Sequence, residues 1–260
     1  MAIDASTDAS TYRPMKPFLI LISGQVLSLF GSQAVQFALV WWLTAATGSA
    51  AVLAIATLLG FLPQVALGPV IGVLVDRWNR KRVLWLADGL VAMASAVLAV
   101  VYLTTETPPV AVVLAVLFIR GLGSAFHAPA MLASTSLMVP ERHLTRIQGI
   151  QQAVQGGALV VTAPLAALLV AALPMAAVMT VDVLSAMVAL APLPFIRVPQ
   201  PEASASSDEP VGLTSTVRDI GAAVDYLRGR PGHVPLLGMA TLVNLCMVPA
   251  LTLLFGKRWY

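Results

Sequence analysis

Runs of apolar residues, each long enough to make a helix that crosses a bilayer, alternate with short polar or turn-forming stretches. The run from Phe18 to Leu43 contains no Asp, Glu, Lys or Arg. About 20 residues of helix cross ~30 Å of hydrocarbon, so this run is a span. The same pattern predicts about seven spans, over 18–43, 50–75, 83–103, 110–138, 147–172, 175–195 and 234–255. Lipid offers no hydrogen-bond partner to the backbone, so each span must satisfy its own N–H and C=O groups as an α-helix. The fold class is all-α integral membrane.

The connections differ in charge. TAATGSA, the TETPP region and the AALPM corner hold one charged residue, Glu106, whereas the alternate connections carry Arg77, Arg80, Lys81, Arg82, Arg142 and Arg146, and Arg13 and Lys16 precede the first span. A Lys/Arg excess marks the cytoplasmic side, which predicts a cytoplasmic N-terminal tail over 1–17 and a six-helix bundle over 18–196 that returns the chain to the cytoplasm. Residues 197–233 follow as a cytoplasmic linker, rich in Pro, Ser and acidic residues at first. Its second part places Val217, Ile220, Val224 and Leu227 at helical spacing, ahead of Gly229 and Pro231, and predicts a short amphipathic helix on the membrane surface. Residues 234–260 hold the seventh span and an atypical end. Lys257 and Arg258 would emerge on the wrong side there, so further spans are expected in the natural design; the alternative is a last segment that re-enters or lies on the surface.

Composition narrows the class. Hydrophobic residues make up 58% of the 260 and charged residues 10%, against roughly 25% charged in soluble domains. The net charge of +3 is small, and its cations sit in short loops, which excludes a nucleic-acid-binding face. Cys246 has no partner for an internal disulfide. The acidic N-terminus and the length of the first span argue against a cleaved signal peptide. No metal-spaced His/Glu pair and no G-x-S-x-G occurs, so neither a metal nor a cofactor is expected.

One polar stretch is specific. GVLVDRWNRKR, between the second and third spans, resembles the signature of the major facilitator superfamily, of form G-x-x-x-D-R-x-G-R-R, through Gly72, Asp76, Arg77, Arg80 and Lys81. Asn79 replaces the second glycine; because Asn tolerates positive φ, the tight turn is expected to survive. GQVLSLFGSQAVQFALVWWLTAATGSA, RGLGSAFHAPA and PERHLTRIQGIQQAV resemble the exporter branch that includes macrolide efflux and enterobactin export proteins. The resemblance implies two six-helix halves, here an N-terminal bundle, a linker and the start of a second bundle. It also implies that the Gly72–Lys81 network is a latch on the outward-open state. From the residues alone, Asp76 is expected to pair with Arg80 or with a helix N-terminus, and Arg82 serves only topology.

Ionisable residues inside spans are costly and usually face a cavity or a partner. Asp88 lies ~7 Å from the cytoplasmic edge, where it could join the loop network, and Arg120 and Asp182 lie ~15 Å and ~10 Å below the outer ends of their helices. Those depths match, which predicts either a static ion pair or a proton-coupling site; the resemblance of Arg120-Gly121-Leu122-Gly123 to the superfamily's fourth-span arginine motif favours coupling. His127 has no acid at helical spacing and is expected to be a packing or interfacial residue rather than a ligand. Polar stripes at Gln25, Ser32 and Gln36, and at Gln148, Gln152 and Gln155, are expected either to line a cavity or to tie helices together. Gly24, Ser28 and Ser32 offer small residues for close packing. In GGALVVTAPLAA, Ala163 and Ala167 stand where exporters carry glycine, and a kink is expected at Pro164.

The function implied is secondary active efflux of an amphipathic small molecule, such as a drug, macrolide or siderophore-like compound, against proton flow across the cell membrane, as in antibiotic resistance. The alternatives are an inactive or split half-transporter that needs a second polypeptide, and, remotely, an intramembrane enzyme. Expected partners are the substrate, protons, the lipid bilayer and a second half-transporter chain.

Overall fold

A computed structural model describes residues 15–105, 107–196 and 198, with isolated positions between 221 and 242. The chain divides into two compact units, Met1–Ser204 and Ala205–Tyr260. The described helices belong to the first unit. The amphipathic helix expected over 217–227 and the seventh span lie, apart from isolated positions, outside the described residues, as do Cys246, Lys257 and Arg258.

Six long helices follow one another: α1 Met15–Thr47, α2 Ala50–Arg77, α3 Arg80–Thr104, α4 Val110–Met138, α5 Glu141–Ala172 and α6 Met175–Leu190, the last extended by a 3-10 turn at Leu193–Phe195. All six are long and apolar enough to cross a membrane. Among the described residues there is no strand.

Local chemistry sets the helix ends. Gly48, at φ +59°, closes α1 in the left-handed region, with its N–H donating to Thr44 O at 2.9 Å. Ser49 then caps α2, its Oγ accepting from Val52 N at 3.4 Å. Pro109, Pro140 and Pro174 open α4, α5 and α6, where a missing N–H costs nothing because the first helical N–H groups have no partner in the helix. Three spans start earlier than hydropathy places them. Helix α5 begins at Glu141 rather than 147, α3 at Arg80 rather than 83 and α1 at Met15 rather than 18, because the hydrogen-bond ladder, unlike hydropathy, continues into polar sequence.

Helix α1 packs on α6 and α5, α2 packs on α4, and α3 lies between α4 and α6. Small residues set the closest approaches. A Cβ on Gly24 would lie 3.1 Å from Ala189 Cα of α6, and one on Gly123 would lie 3.0 Å from Ala87 O of α3, the close packing that small residues permit between membrane helices. Helices α2 and α5 are the least covered, with only 11% and 17% of their most apolar stretches buried.

The buried apolar residues form two clusters. One surrounds Phe18, Ile71, Leu84 and Met131, at the end of the bundle that carries the basic connections, here termed the basic end. The other surrounds Leu39, Leu98, Leu117 and Met179 toward the opposite end. Along the helices between them lie the buried polar residues Gln25, Asp88, Arg120 and Asp182.

Candidate functional site

The polar residues between the two apolar clusters are arranged in two layers. Gln25 and Ser32 on α1, Asp88 and Ser95 on α3, and His127 and Arg120 on α4 are each seven residues apart. Seven residues are close to two helical turns, or about 10 Å along the axis. Each helix therefore contributes one side chain to each layer, on the same face.

The layer nearer the middle is built around Asp182 of α6. Its Oδ1 accepts from Ser32 Oγ at 2.7 Å and its Oδ2 from Ser95 Oγ at 2.6 Å. Arg120 Nη1 donates to the same Oδ2 and contacts Ser95 Oγ, and Nη2 donates to the backbone oxygen of Ser32 at 2.9 Å. The structure thus brings Arg120 and Asp182 together across 62 residues of sequence. Arg120 is 3% exposed and Asp182 0%. A permanent guanidinium and two hydroxyls therefore hold this carboxylate, and they offset the desolvation that would otherwise exclude both charges from the interior.

The layer nearer the basic end joins Gln25, Asp88 and His127. Gln25 Nε2 donates to Asp88 Oδ2 at 2.8 Å, its Oε1 meets His127 Nε2 at 2.7 Å, and the same Nε2 lies 3.5 Å from Asp88 Oδ1. Two expectations need correction here. His127 is not a lone packing residue: an acid absent at helical spacing on its own helix comes from α3. Asp88 does not join the loop network. With α3 starting at Arg80 it lies about 12 Å into the helix at 1.5 Å per residue, and its partners are on α1 and α4.

The α2–α3 connection differs from expectation at Asn79. Among the described residues no non-glycine residue has positive φ. Asn79 is extended, at φ −67° and ψ 109°, and is the N-cap of α3, its Oδ1 accepting from Arg82 N at 3.2 Å. Asn suits the position because its short side chain reaches the orphan N–H groups of the first turn. Asp76 lies 3.9 Å from Arg80, with its side chain 77% exposed while that of Arg80 is 8% exposed. Lys81 Nζ donates to Pro194 O at 2.8 Å, fastening the start of α3 to the end of α6, and Trp78 stacks on Phe126 of α4 with ring centroids 6.3 Å apart. Arg77 forms the last turn of α2. Gly72 has open space around it, since a Cβ there would meet nothing within 4 Å.

The remaining candidates are dispersed. Gln36 is half-buried, its Nε2 lying where a Cβ on Gly60 of α2 would approach it to 2.6 Å. Gln148, Gln152 and Gln155 are exposed on α5 and join neither layer. Gln151, beside that stripe, does make a tie, donating to Thr135 Oγ1 of α4 at 3.1 Å. Helix α5 runs through Pro164, which is exposed, without a break in its helical assignment. Sequence periodicity does not single out Ser95, although its seven-residue spacing from Asp88 is a signal, and it does not show the acid of α3 that His127 meets.

Six apolar helices with ionisable side chains paired between them define a multi-pass membrane protein. The chain belongs to the major facilitator superfamily, whose family model matches residues 21–257. It is 39% identical over 232 residues to macrolide efflux protein A of Streptococcus pyogenes, an alignment that covers 89% of this chain and 56% of that protein. It is also 39% identical over 202 residues to macrolide efflux protein A of Enterococcus faecalis, covering 78% of this chain and 61% of the relative. The chain thus spans little more than half the length of the curated relatives it matches. Family membership sets it among membrane transporters rather than enzymes.

Proposed function

We propose that the chain forms the first half of a proton-coupled exporter that moves an amphipathic small molecule, of the macrolide class, out of the cell by alternating access. The observation that carries this reading is the 39% identity to macrolide efflux protein A across 89% of the chain. Alternating access needs a second half rocking against the first around a central site. That half is either covalently continuous with this one or a separate polypeptide. Helices α2 and α5, which leave most of their apolar surface uncovered within this unit, are the faces that would meet it.

The basic connections orient the protein in the cell membrane with the N-terminus in the cytoplasm. The segment Gly72, Asp76, Arg77, Asn79, Arg80 and Lys81 acts as the conformational latch; the exposed carboxylate of Asp76 supports this reading, since it presents a charge outward. Arg120, Asp182 and Asp88 are the ionisable residues of the transport machinery, Arg120 and Asp182 as an intramembrane ion pair and Asp88 as a proton-coupling carboxylate. Gln25, Ser32 and Gln36, with Gln152 and Gln155 on the uncovered α5, contribute polar groups to the transport path, and Pro164 provides a point where α5 bends.

The test is accumulation of a radiolabelled macrolide in sensitive cells that express the chain, alone and with a complementary second half. Lower accumulation than in control cells, restored by a protonophore, is the expected result. Equal accumulation in both arrangements, with membrane insertion verified, defeats the proposal.

A further inference from the structure

The two buried carboxylates are in different chemical situations. Both oxygens of Asp182 are occupied, one of them by Arg120, and the residue is 0% exposed. A guanidinium does not give up its proton in a protein, so this pair is held as an ion pair. Among the described residues Asp88 is paired with no permanent cation; its partners are the neutral amide of Gln25 and the imidazole of His127. The side chain of His127 is 29% exposed against 9% for Asp88, so the ring connects the buried carboxylate to the surface of the bundle.

The amide of Gln25 fixes the polarity of this set. Its NH2 group donates to Asp88, which leaves its carbonyl oxygen facing His127, so Nε2 of that ring carries a hydrogen and donates. The same Nε2 lies 3.5 Å from Asp88 Oδ1. With the hydrogen on Nε2, the ring lone pair of the neutral form is on Nδ1.

We infer that Asp88 and His127, clamped by Gln25, form an exchangeable-proton site within the membrane, and that this pair rather than Arg120 and Asp182 exchanges protons. On uptake, a hydronium ion gives a proton to the Nδ1 lone pair of His127, its O–H bond breaking as the N–H bond forms and water leaving, and the pair passes from one net negative charge to none. Release reverses the step. The coupling that such a site would serve rests on the export reading above, but proton binding itself does not.

The ionisable surroundings are sparse. Helix α1 supplies only Lys16 at its start, α2 only Asp76 and Arg77 at its end, and α5 only residues of its opening turns, Glu141 to Arg146. On α3, Arg80 to Arg82 lie about two turns or more toward the basic end, and Arg120 and Asp182 occupy the other layer, about two turns the opposite way. The half-buried ring of His127, between the amide of Gln25 and the carboxylate of Asp88, is the member of the set nearest the surface of the bundle.

The experiment uses the full chain labelled with 15N-histidine in lipid nanodiscs. The sequence has three histidines, so His143→Gln and His233→Gln leave His127 as the reporting ring. The expected result is reversible passage between the neutral form protonated at Nε2 and the doubly protonated form as the pH is lowered and raised. Asp88→Asn is expected to displace the midpoint by about one pH unit or more, while Asp182→Asn leaves it in place. A ring fixed in one protonation state throughout, or a midpoint indifferent to Asp88→Asn, overturns the inference.

Gln25→Ala, which keeps both ionisable groups, is the second variant should Asp88→Asn not fold. It is expected to release the neutral ring into a mixture of tautomers, and retention of a pure Nε2–H form counts against the clamp and the inference with it. No substrate is present in these measurements, so a failure of export and a failure of proton binding give separate results.

Discussion

Gly121 on α4 lies directly against the backbone of Gly60 on α2: a Cβ at Gly121 would come within 2.6 Å of Gly60 O and 3.0 Å of Leu59 O. Backbone oxygens within a helix cannot swing aside as a side chain can, so the two helices would have to separate. Gly121→Ala is therefore expected to lower stability by about 1–3 kcal/mol. Gly149→Ala on α5, where a Cβ meets nothing within 4 Å, is expected to be neutral or stabilising by up to about 1 kcal/mol. Unfolding midpoints of the purified chain in detergent, compared for the two variants, check this. Equal midpoints would remove the close α2–α4 approach from the account.

The Arg120–Asp182 pair makes a second prediction, through the difference between removing one charge and removing both. Arg120→Met alone leaves Asp182 as a buried uncompensated carboxylate, a loss on the order of 3–5 kcal/mol. Arg120→Met combined with Asp182→Asn is expected to recover most of that loss, because no charge remains and Asn can still pair with Ser32 and Ser95. Ser32→Ala and Ser95→Ala are expected to cost less, about 0.6–1.7 kcal/mol each, in keeping with hydrogen bonds between membrane helices. A double-mutant cycle read by denaturant unfolding supplies the comparison; additive losses would mean that the two charges do not interact.

Asn79 separates a cap from a tight turn. As an N-cap with extended backbone, it should be replaceable by Ser or Asp at little cost, whereas Asn79→Ala should destabilise the start of α3 by about 0.5–2 kcal/mol. A residue needed for positive φ would show the opposite preference, with glycine the best replacement and serine a poor one. Hydrogen exchange at the amides of Lys81 and Arg82, measured for the Ala, Ser and Gly variants, distinguishes the two. Fastest exchange in the Ser variant would contradict the cap.

Much of the fold is legible in single residues and short windows. The five charge-poor runs after Phe18–Leu43 can be placed by transfer energies that add locally along the chain, and Gly48–Ser49, Pro109, Pro140 and Pro174 mark helix ends through their own backbone chemistry. The site was legible only in part. Arg120 and Asp182 stood out because a charge inside a span needs compensation, and their similar depth made them candidates for one another. Asp88 also stood out, but its depth was misjudged along with the start of α3. His127 was set aside because its acid lies on a different helix, and no spacing along α4 could reveal it.

The number and approximate extent of the first six helices, and the side that carries the basic connections, follow from the sequence segment by segment, since hydrocarbon thickness and backbone satisfaction act on each segment separately. Which polar groups share a layer depends instead on how the helices pack. Asp182 reaches Ser32, Ser95 and Arg120 because α6 lies beside both α1 and α3, and Gln25 reaches Asp88 and His127 because of how α1, α3 and α4 are rotated about their axes. Rotation and neighbour choice are set by the close contacts of Gly24, Gly31, Gly121 and Gly123 with other helices. These contacts are non-local, and no term that acts on one helix alone contains them.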